Sequence, residues 1–376
     1  MPCETARCSA LFPSKGALPI MIPLDRYDRQ IRVPGVGLSG QRRIQSSSVL
    51  VVGSGGLGSP VLTYLCSAGV GRMGVVDFDV VEISNLPRQS LHSDATIGRP
   101  KVESAINSLK KYATGTRFVS YPTSFDSASW KEIMDAGWDL AIDTTDGLQA
   151  RYALTDACYL HGIPLLWASV YQFYGQVGIS AATSDLACYR CLFPTPPPPE
   201  LAPNCSEAGV LGPVCGTIGS LEATEALKLL TGFDSPLRNG ILDVNLVQMT
   251  FSLHPVSKNP DCTLCGSSRT INTVLDIPDS CSLFQKISTP TVSSPEDLMD
   301  PLVIDIREKW QFDGGHIEGA INCSAESVID SIKGVNRSIL VYCDIGRESS
   351  QIVADLLANG HDAYSLKGGW DAFTRR

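Results

Sequence analysis

VLVVGSGGLGSP, residues 49–60, decides the fold. Four apolar residues, three of them β-branched, read as a short buried strand, and the segment from Pro60 onward reads as a helix. Between them Gly53, Gly55 and Gly58 stand in G-x-G-x-x-G spacing, with Gly56 inside it. Glycines so placed allow a tight turn and a close backbone approach to phosphate, while the helix start offers free N–H groups and a positive dipole end. A purely structural turn accounts less well for strand, loop and helix falling in that order. The loop alone suits a nicotinamide or flavin enzyme as well as one that uses ATP.

Outward from this loop, short runs rich in β-branched residues (72–78, 117–121, 139–144 and 163–170) alternate with helix-length segments. That alternation predicts βαβ units and a mostly parallel sheet, an α/β fold. Two further apolar runs, YGQVGIS (174–180) and GILDVNLVQMTFSL (240–253), have fewer helices between them and read as antiparallel strands. PTPPPPELAPNC (194–205) is a stiff, extended loop. A stretch rich in Ser, Thr and Pro, 267–297, reads as a linker, and PLVIDI, SILVYC and SSQIVADLLANG then begin a smaller α/β pattern. The expected division is a tail over 1–22, a nucleotide domain over 23–266, the linker, and a second domain over 298–376.

The 376 residues suit two domains, and 43% apolar with 18% charged residues suits a folded globular chain. A net charge of −9 argues against a broad nucleic-acid footprint, which needs a basic face. No apolar run reaches the length of a membrane span. Glu4 and the prolines at 13, 19 and 23 make the first segment a loose tail rather than a secretory signal. Thirteen cysteines without a signal point to a reducing compartment, the cytoplasm, where thiols serve as metal ligands, nucleophiles or small packing groups.

Asp77 and Asp79 follow the second strand, where an acid commonly takes a ribose hydroxyl. Beyond them lie Asn85, Arg88, Gln89 and Lys101. Two cations beside a phosphate cradle suit a triphosphate, whose charge must be offset before another anion can approach; solvated surface is the plain alternative for each. AIDTTDG (141–147) puts Asp143 and Asp146 at the carboxyl end of a strand, the edge where open α/β sheets bind ligands. A carboxylate there can hold Mg²⁺ through the phosphates, and Asp146 also reads as the N-cap of the helix that follows.

CYRC and CTLC supply Cys188, Cys191, Cys262 and Cys265, four thiolates that close a tetrahedral zinc site with no open position, hence a structural one. Redox use is disfavoured because neither pair is expected to open a helix after a strand. In YCDIGRES (342–349) Cys343 heads a loop between strand and helix. Backbone N–H groups curled around such a sulfur stabilise an anion, and Arg347 and Ser349 could add to this. A phosphatase loop would need its arginine six residues after the cysteine, where Ser349 stands. Cys205, after the proline-rich loop, reads as an accessible thiol suited to nucleophilic attack. Cys215, Cys3, Cys8, Cys66, Cys158 and Cys323 read as packing, Cys281 stays open, and His316 reads as structural.

Taken together, RYDRQI (26–31), VVGSGGLGSP, VDFDVVEISNLPRQ, GRPKVES, TTDG, the paired cysteines and NCSEAGVLGP resemble the molybdopterin-synthase adenylyltransferase branch of the ubiquitin-activating-enzyme superfamily. The tail, with VIDIREKWQFDGGHIEGA, VYCDIGRES and LKGGW, resembles a rhodanese domain. The resemblance implies a Rossmann-like adenylation domain with structural zinc and a smaller rhodanese domain. It implies ATP, magnesium and one zinc per subunit.

By the same resemblance Gly56 and Asp77 contact adenosine, with Gly53, Gly55, Gly58, Asp79, Leu86, Gln89 and Gly147 completing the nucleotide set. Ser84, Asn85 and Arg88 lie along the phosphates, Lys101 on the nucleotide, and Asp146 on magnesium. Arg29 acts as an arginine finger supplied by the partner of a homodimer. Cys205 accepts the activated carrier and Cys343 bears a persulfide. The implied partners are a small ubiquitin-like sulfur carrier and a cysteine-desulfurase-type donor, serving molybdenum cofactor synthesis, tRNA wobble-uridine thiolation, or both.

Gly147 departs from the usual Asn and would remove one nucleotide contact; Pro87 and Arg347 also depart from the pattern. The rival readings are a conjugation-type activating enzyme that works by thioester, a nicotinamide-dependent oxidoreductase that leaves the zinc cysteines and the tail unexplained, and a non-catalytic module in which both domains are decayed.

Overall fold

The computed structural model describes residues 23–113, 115–180, 186–196, 209–277, 289–344 and 346–374. The chain divides into two compact units, Met1–Asp279 and Ser280–Arg376. Cys3, Cys8, Cys205 and Cys281 lie outside the described residues.

In the first unit β1 (Ser48–Val52), β2 (Arg72–Val76), β3 (Arg117–Tyr121), β4 (Leu140–Asp143) and β5 (Leu165–Tyr171) pair in parallel in the order 3-2-1-4-5. The order reverses between β1 and β4, which opens a crevice at their carboxyl ends. β6 (Tyr174–Ser180), β7 (Gly240–Asn245) and β8 (Thr250–Pro255) continue the sheet antiparallel, as their spacing predicts.

Successive residues of a strand point to opposite faces, so a sheet covered on both sides needs apolar residues throughout. In β1, Val49 and Val51 enter one buried cluster and Leu50 and Val52 the other. The helices are α1 (Leu24–Ile31), α2 (Gly37–Ser46), α3 (Gly58–Ala68), α4 (Lys101–Leu109), α5 (Trp130–Asp135), α6 (Leu148–His161), α7 (Tyr189–Leu192) and α8 (Gly212–Thr231). α8 has Pro213 in its first turn, where the missing N–H costs no bond, and ends at Gly232 in the left-handed region.

The second unit is a five-stranded parallel sheet: β9 (Thr291–Val292), β10 (Leu302–Asp305), β11 (Ile321–Asn322), β12 (Ile339–Tyr342) and β13 (Ala363–Leu366), in the order 11-10-12-13-9. Its helices are α9 (Lys309–Gly314), α10 (Val328–Ser331), α11 (Arg347–Ala358) and α12 (Gly369–Thr374). Here too β12 feeds two cores: Ile339 and Val341, with Cys343 just beyond the strand, face one, and Leu340 and Tyr342 the other.

The stretch expected as a linker carries more structure than its composition suggests. Val274 is buried in the first unit, where Asp276 accepts from the Ser127 backbone and hydroxyl, while β9 belongs to the second sheet. A two-residue edge strand has no room for a readable alternation. Among the described residues no helix is long and apolar enough to cross a membrane.

Candidate functional site

The glycine loop occupies the crevice between β1 and β4. A side chain at Gly58 would collide with the Gly53 carbonyl, so α3 can start there only with glycine. Ser54 is gripped from two sides. Its N–H and hydroxyl both donate to Asp77 Oδ2 at 2.7 Å, and its carbonyl lies 3.1 Å from His92 Nε2. A carbonyl only accepts, so Nε2 carries the proton and Nδ1 accepts from the Ser104 hydroxyl at 2.9 Å. Burial pushes the His92 imidazole below its ordinary value, in keeping with that neutral form.

Thr144 ties the neighbouring strand end to the same loop, its hydroxyl donating to the Gly53 carbonyl at 2.7 Å. Asp79 pairs with the buried Lys101 ammonium at 2.8 Å. Asn85 is buried and its Oδ1 accepts from the Glu82 N–H. Arg88 donates to the Ser84 carbonyl, and Leu86 follows as the cap of this short turn. Gln89 is buried beside Gly55, and its Oε1 has no partner among the described residues, which suits a site that awaits a polar ligand. Cys215 packs under Gly56, and burial raises its thiol, so it is a packing group as expected.

The two carboxylates at the end of β4 separate. Asp143 is fully buried and spent: Oδ2 takes Arg151 Nε at 2.7 Å and Oδ1 takes the Thr145 N–H and hydroxyl. Asp146 is exposed and free to meet a cation through bound phosphates. It is not the helix N-cap; Gly147 holds that position without a side-chain bond. Arg29 lies exposed in the last turn of α1.

Cys188, Cys191, Cys262 and Cys265 converge, their sulfurs all within 4.8 Å of one another. Neighbouring pairs are 3.9, 3.5 and 3.3 Å apart. Zinc–sulfur bonds of about 2.3 Å in a tetrahedron require edges of about 3.8 Å, so the donor set fits that ion. Burial raises the Cys188 and Cys265 thiols, a state that only a cation among them would reverse. Cys188 caps a one-turn helix, α7, eight residues beyond the end of β6. That turn points Tyr189 and Arg190 inward. Arg190 makes a bidentate pair with Asp156 of α6 at 2.6 and 2.8 Å, and the Tyr189 ring packs edge-on to Tyr152 and Trp167.

In the second unit Cys343 directly follows β12, buried, with Ser349 N–H 3.5 Å and Ser349 Oγ 3.6 Å from its sulfur. Gly346 turns the loop in the left-handed region. Gly369 has φ +64° and no space for a side chain against the Cys343 and Asp344 carbonyls, which accept from the Trp370 and Asp371 N–H groups at 2.9 Å. Asp344 accepts from Gln311. Beneath lies a buried pair, Asp305–Arg307, whose guanidinium also meets the Gly315 carbonyl and stacks 4.3 Å from the Trp370 ring centre. His316 stacks on Phe312, a structural contact as expected.

Against known proteins, the ThiF family matches residues 27–264. The chain belongs to the ThiF family. A Rhodanese-like domain matches residues 293–376 of this ThiF-family chain. The "Sulfur carrier protein adenylyltransferase" of Thermus thermophilus is 43% identical over 69% of this chain and 97% of its own length. The "Probable adenylyltransferase/sulfurtransferase MoeZ" of Mycobacterium tuberculosis is 34% identical over 93% of each chain. Among solved structures, Escherichia coli MccB with MccA-N7isoASN superposes at a TM-score of 0.57, 18% identical, over 66% of this chain and 76% of that one, a likeness of fold.

Within the ThiF match, the structure brings to one edge the glycine loop, Asp77, Asp79, Asn85, Arg88, Gln89, Lys101 and Asp146. Sequence reasoning missed the groups that hold them: Ser54, His92, Thr144 and Arg151. The position of Ser54 inside the glycine motif was the only local signal available.

Proposed function

We propose that the chain is an ATP-dependent adenylyltransferase and sulfurtransferase that activates the C-terminal glycine of a small ubiquitin-like sulfur carrier and replaces one carboxylate oxygen with sulfur. One observation carries this reading: a single chain joins a ThiF match to a rhodanese-like match, and a relative so named aligns with it over 93% of both. Residues 23–266 would perform adenylation and 298–376 sulfur transfer.

In the first stage the carrier carboxylate attacks the α-phosphorus of ATP, forming an acyl-adenylate and releasing pyrophosphate. Both reactants are anionic, so catalysis is chiefly positioning and charge neutralisation. Gly53, Gly55, Gly56 and Gly58 let the backbone approach the nucleotide; Asp77 and Asp79 lie towards the ribose with Leu86 and Gly147 beside them. Ser84, Asn85, Arg88, Gln89 and Lys101 line the phosphates. Lys101 would exchange part of its contact with Asp79 for phosphate oxygens. Magnesium, held by Asp146, would neutralise phosphate charge. Arg29 would come from the second subunit of a homodimer. Zinc on Cys188, Cys191, Cys262 and Cys265 would fasten two distant loops and take no part in bond making.

In the second stage a persulfide on Cys343, loaded by a cysteine-desulfurase-type donor, attacks the acyl carbon and expels AMP. The product is an acyl disulfide. Cys205 thiolate then attacks the Cys343 sulfur, giving a Cys205–Cys343 disulfide and releasing the thiocarboxylate; an external thiol reduces that disulfide. A thioester on Cys205 before sulfur transfer is the variant route. The product would feed molybdenum cofactor synthesis or tRNA thiolation, and the setting would be the cytoplasm.

The test is the intact mass of candidate carriers after incubation with ATP and a sulfur source. The expected result is a gain equal to sulfur replacing oxygen. Cys343→Ala should abolish that gain while ATP–pyrophosphate exchange continues. Absence of carrier-dependent pyrophosphate release from the wild type would refute the reading.

A further inference from the structure

β13 is an apolar strand with one anomaly. Ala363 and Leu366 are fully buried, and so is Ser365 between them. Its hydroxyl lies 2.8 Å from that of Ser349, itself fully buried and 3.6 Å from the Cys343 sulfur. Ser350 Oγ stands 3.4 Å from Ser365 Oγ and donates to the Gly346 carbonyl at 2.7 Å. Three hydroxyls therefore run in a line from the sulfur to a carbonyl of its own loop. A core position in a strand is normally filled by an apolar side chain, and a buried hydroxyl without a partner costs on the order of 1–3 kcal/mol.

We propose that Ser365 is a positioning residue for sulfur transfer, acting on Cys343 through the Ser349 hydroxyl. The inference rests on the reading of Cys343 as the sulfur-bearing cysteine. Each hydroxyl has one proton to give. While Cys343 is a thiol, S–H donates to Ser349 and Ser349 to Ser365, while the Ser350 hydroxyl donates to the Gly346 carbonyl or to Ser365. When the sulfur is anionic, as thiolate or persulfide, Ser349 turns its proton towards it. Its oxygen then accepts from Ser365. Aligned in that sense the two O–H dipoles reinforce one another and point at the negative sulfur. Ser365 serves both states because it can accept from Ser349 in one and donate to it in the other; alanine can do neither.

The experiment uses the full-length chain. Iodoacetamide labelling of the Cys343 peptide is followed by mass spectrometry as a function of pH, alongside turnover with a thiosulfate sulfur source. Ser365→Ala should slow labelling near neutral pH by about five-fold and carry the pH profile towards higher values. Turnover should fall by a similar factor with KM for thiosulfate unchanged. Ser365→Thr, which keeps the hydroxyl, should restore both. Ser349→Ala should lose at least as much, and the double variant no more than Ser349→Ala alone.

An unshifted profile in Ser365→Ala, with or without a lower melting temperature, overturns the proposal. So does an unshifted profile in Ser349→Ala, whatever becomes of Ser365→Ala, because the route to the sulfur runs through that hydroxyl. Cys343→Ala separates the two layers: continued sulfur transfer in that variant removes the underlying reading, whereas its loss beside normal Ser365→Ala turnover removes only this inference.

Discussion

Glu222 shows what a single side chain can reveal. It sits in α8 fully buried, and neither carboxyl oxygen has a hydrogen-bond partner among the described residues. Burial, with Asp143 nearby, raises its carboxyl well above the ordinary value, against a smaller opposing pull from Arg151. A raised acid contributes stability that is complete below its unfolded value and is lost as pH rises through the folded one. Glu222→Gln removes that loss. Thermal melts should therefore show the variant gaining on the wild type from about pH 4.3 upward, by on the order of 1–3 kcal/mol at neutral pH. A gap that stays constant between acid and neutral pH would contradict this. Nothing in SLEATEAL marks Glu222 as different from its neighbour Glu225, which pairs with Lys228. The two differ only in which face of the helix is covered. The glycine loop and Cys343 were legible because their chemistry is written within a few consecutive residues. His92, Arg151 and Thr144 were not, since each acts on a partner brought near by the fold.

Among the elements, α6 has the most to hold. Arg151 near its start fixes the end of β4 through Asp143 and the Thr145 carbonyl. One turn later Asp156 receives Arg190 from the metal knuckle, and the Tyr189 ring lies 5.9 Å from the Arg151 guanidinium. The four-cysteine cluster and the glycine-loop edge thus share one helix. Stripping the metal with a chelator should lower the melting temperature and weaken ATP binding, measured by nucleotide-dependent thermal protection, with zinc restoring both. Asp156→Ala should cost up to about 3–5 kcal/mol, because it leaves a mostly covered guanidinium unpaired. Melting that is indifferent to the chelator would show the knuckle to be a local clasp. The strands around α6 could be read from alternation, and the two C-x-x-C pairs from their spacing. What escaped was the turn at α7 and the cap at Gly147, since one residue of slack in a loop leaves no trace in hydrophobic period.

At the scale of the whole molecule, each unit closes its own core and carries its candidate residues at the carboxyl end of its own parallel strands. The sequence pattern breaks after Gly266, whereas β9 begins inside that break. The homodimer proposed above has a direct test. Arg29→Ala and Asp146→Ala chains, each inactive alone in ATP–pyrophosphate exchange, are mixed and allowed to exchange subunits. If Arg29 serves the partner's site, half the dimers are mixed, and each has one intact site. About a quarter of wild-type activity should return. No recovery after verified subunit exchange would place Arg29 in its own site.

Gly369 lies far along the chain from Cys343, yet the sulfur loop is cast against its bare backbone. A substitution at this buried helix start would deform the surroundings of Cys343 as surely as one beside it. Tolerance to mutation in this unit should therefore follow the mould as well as the chemistry it shapes, and a saturation library would find its second blind spot at the glycine pair before the tryptophan.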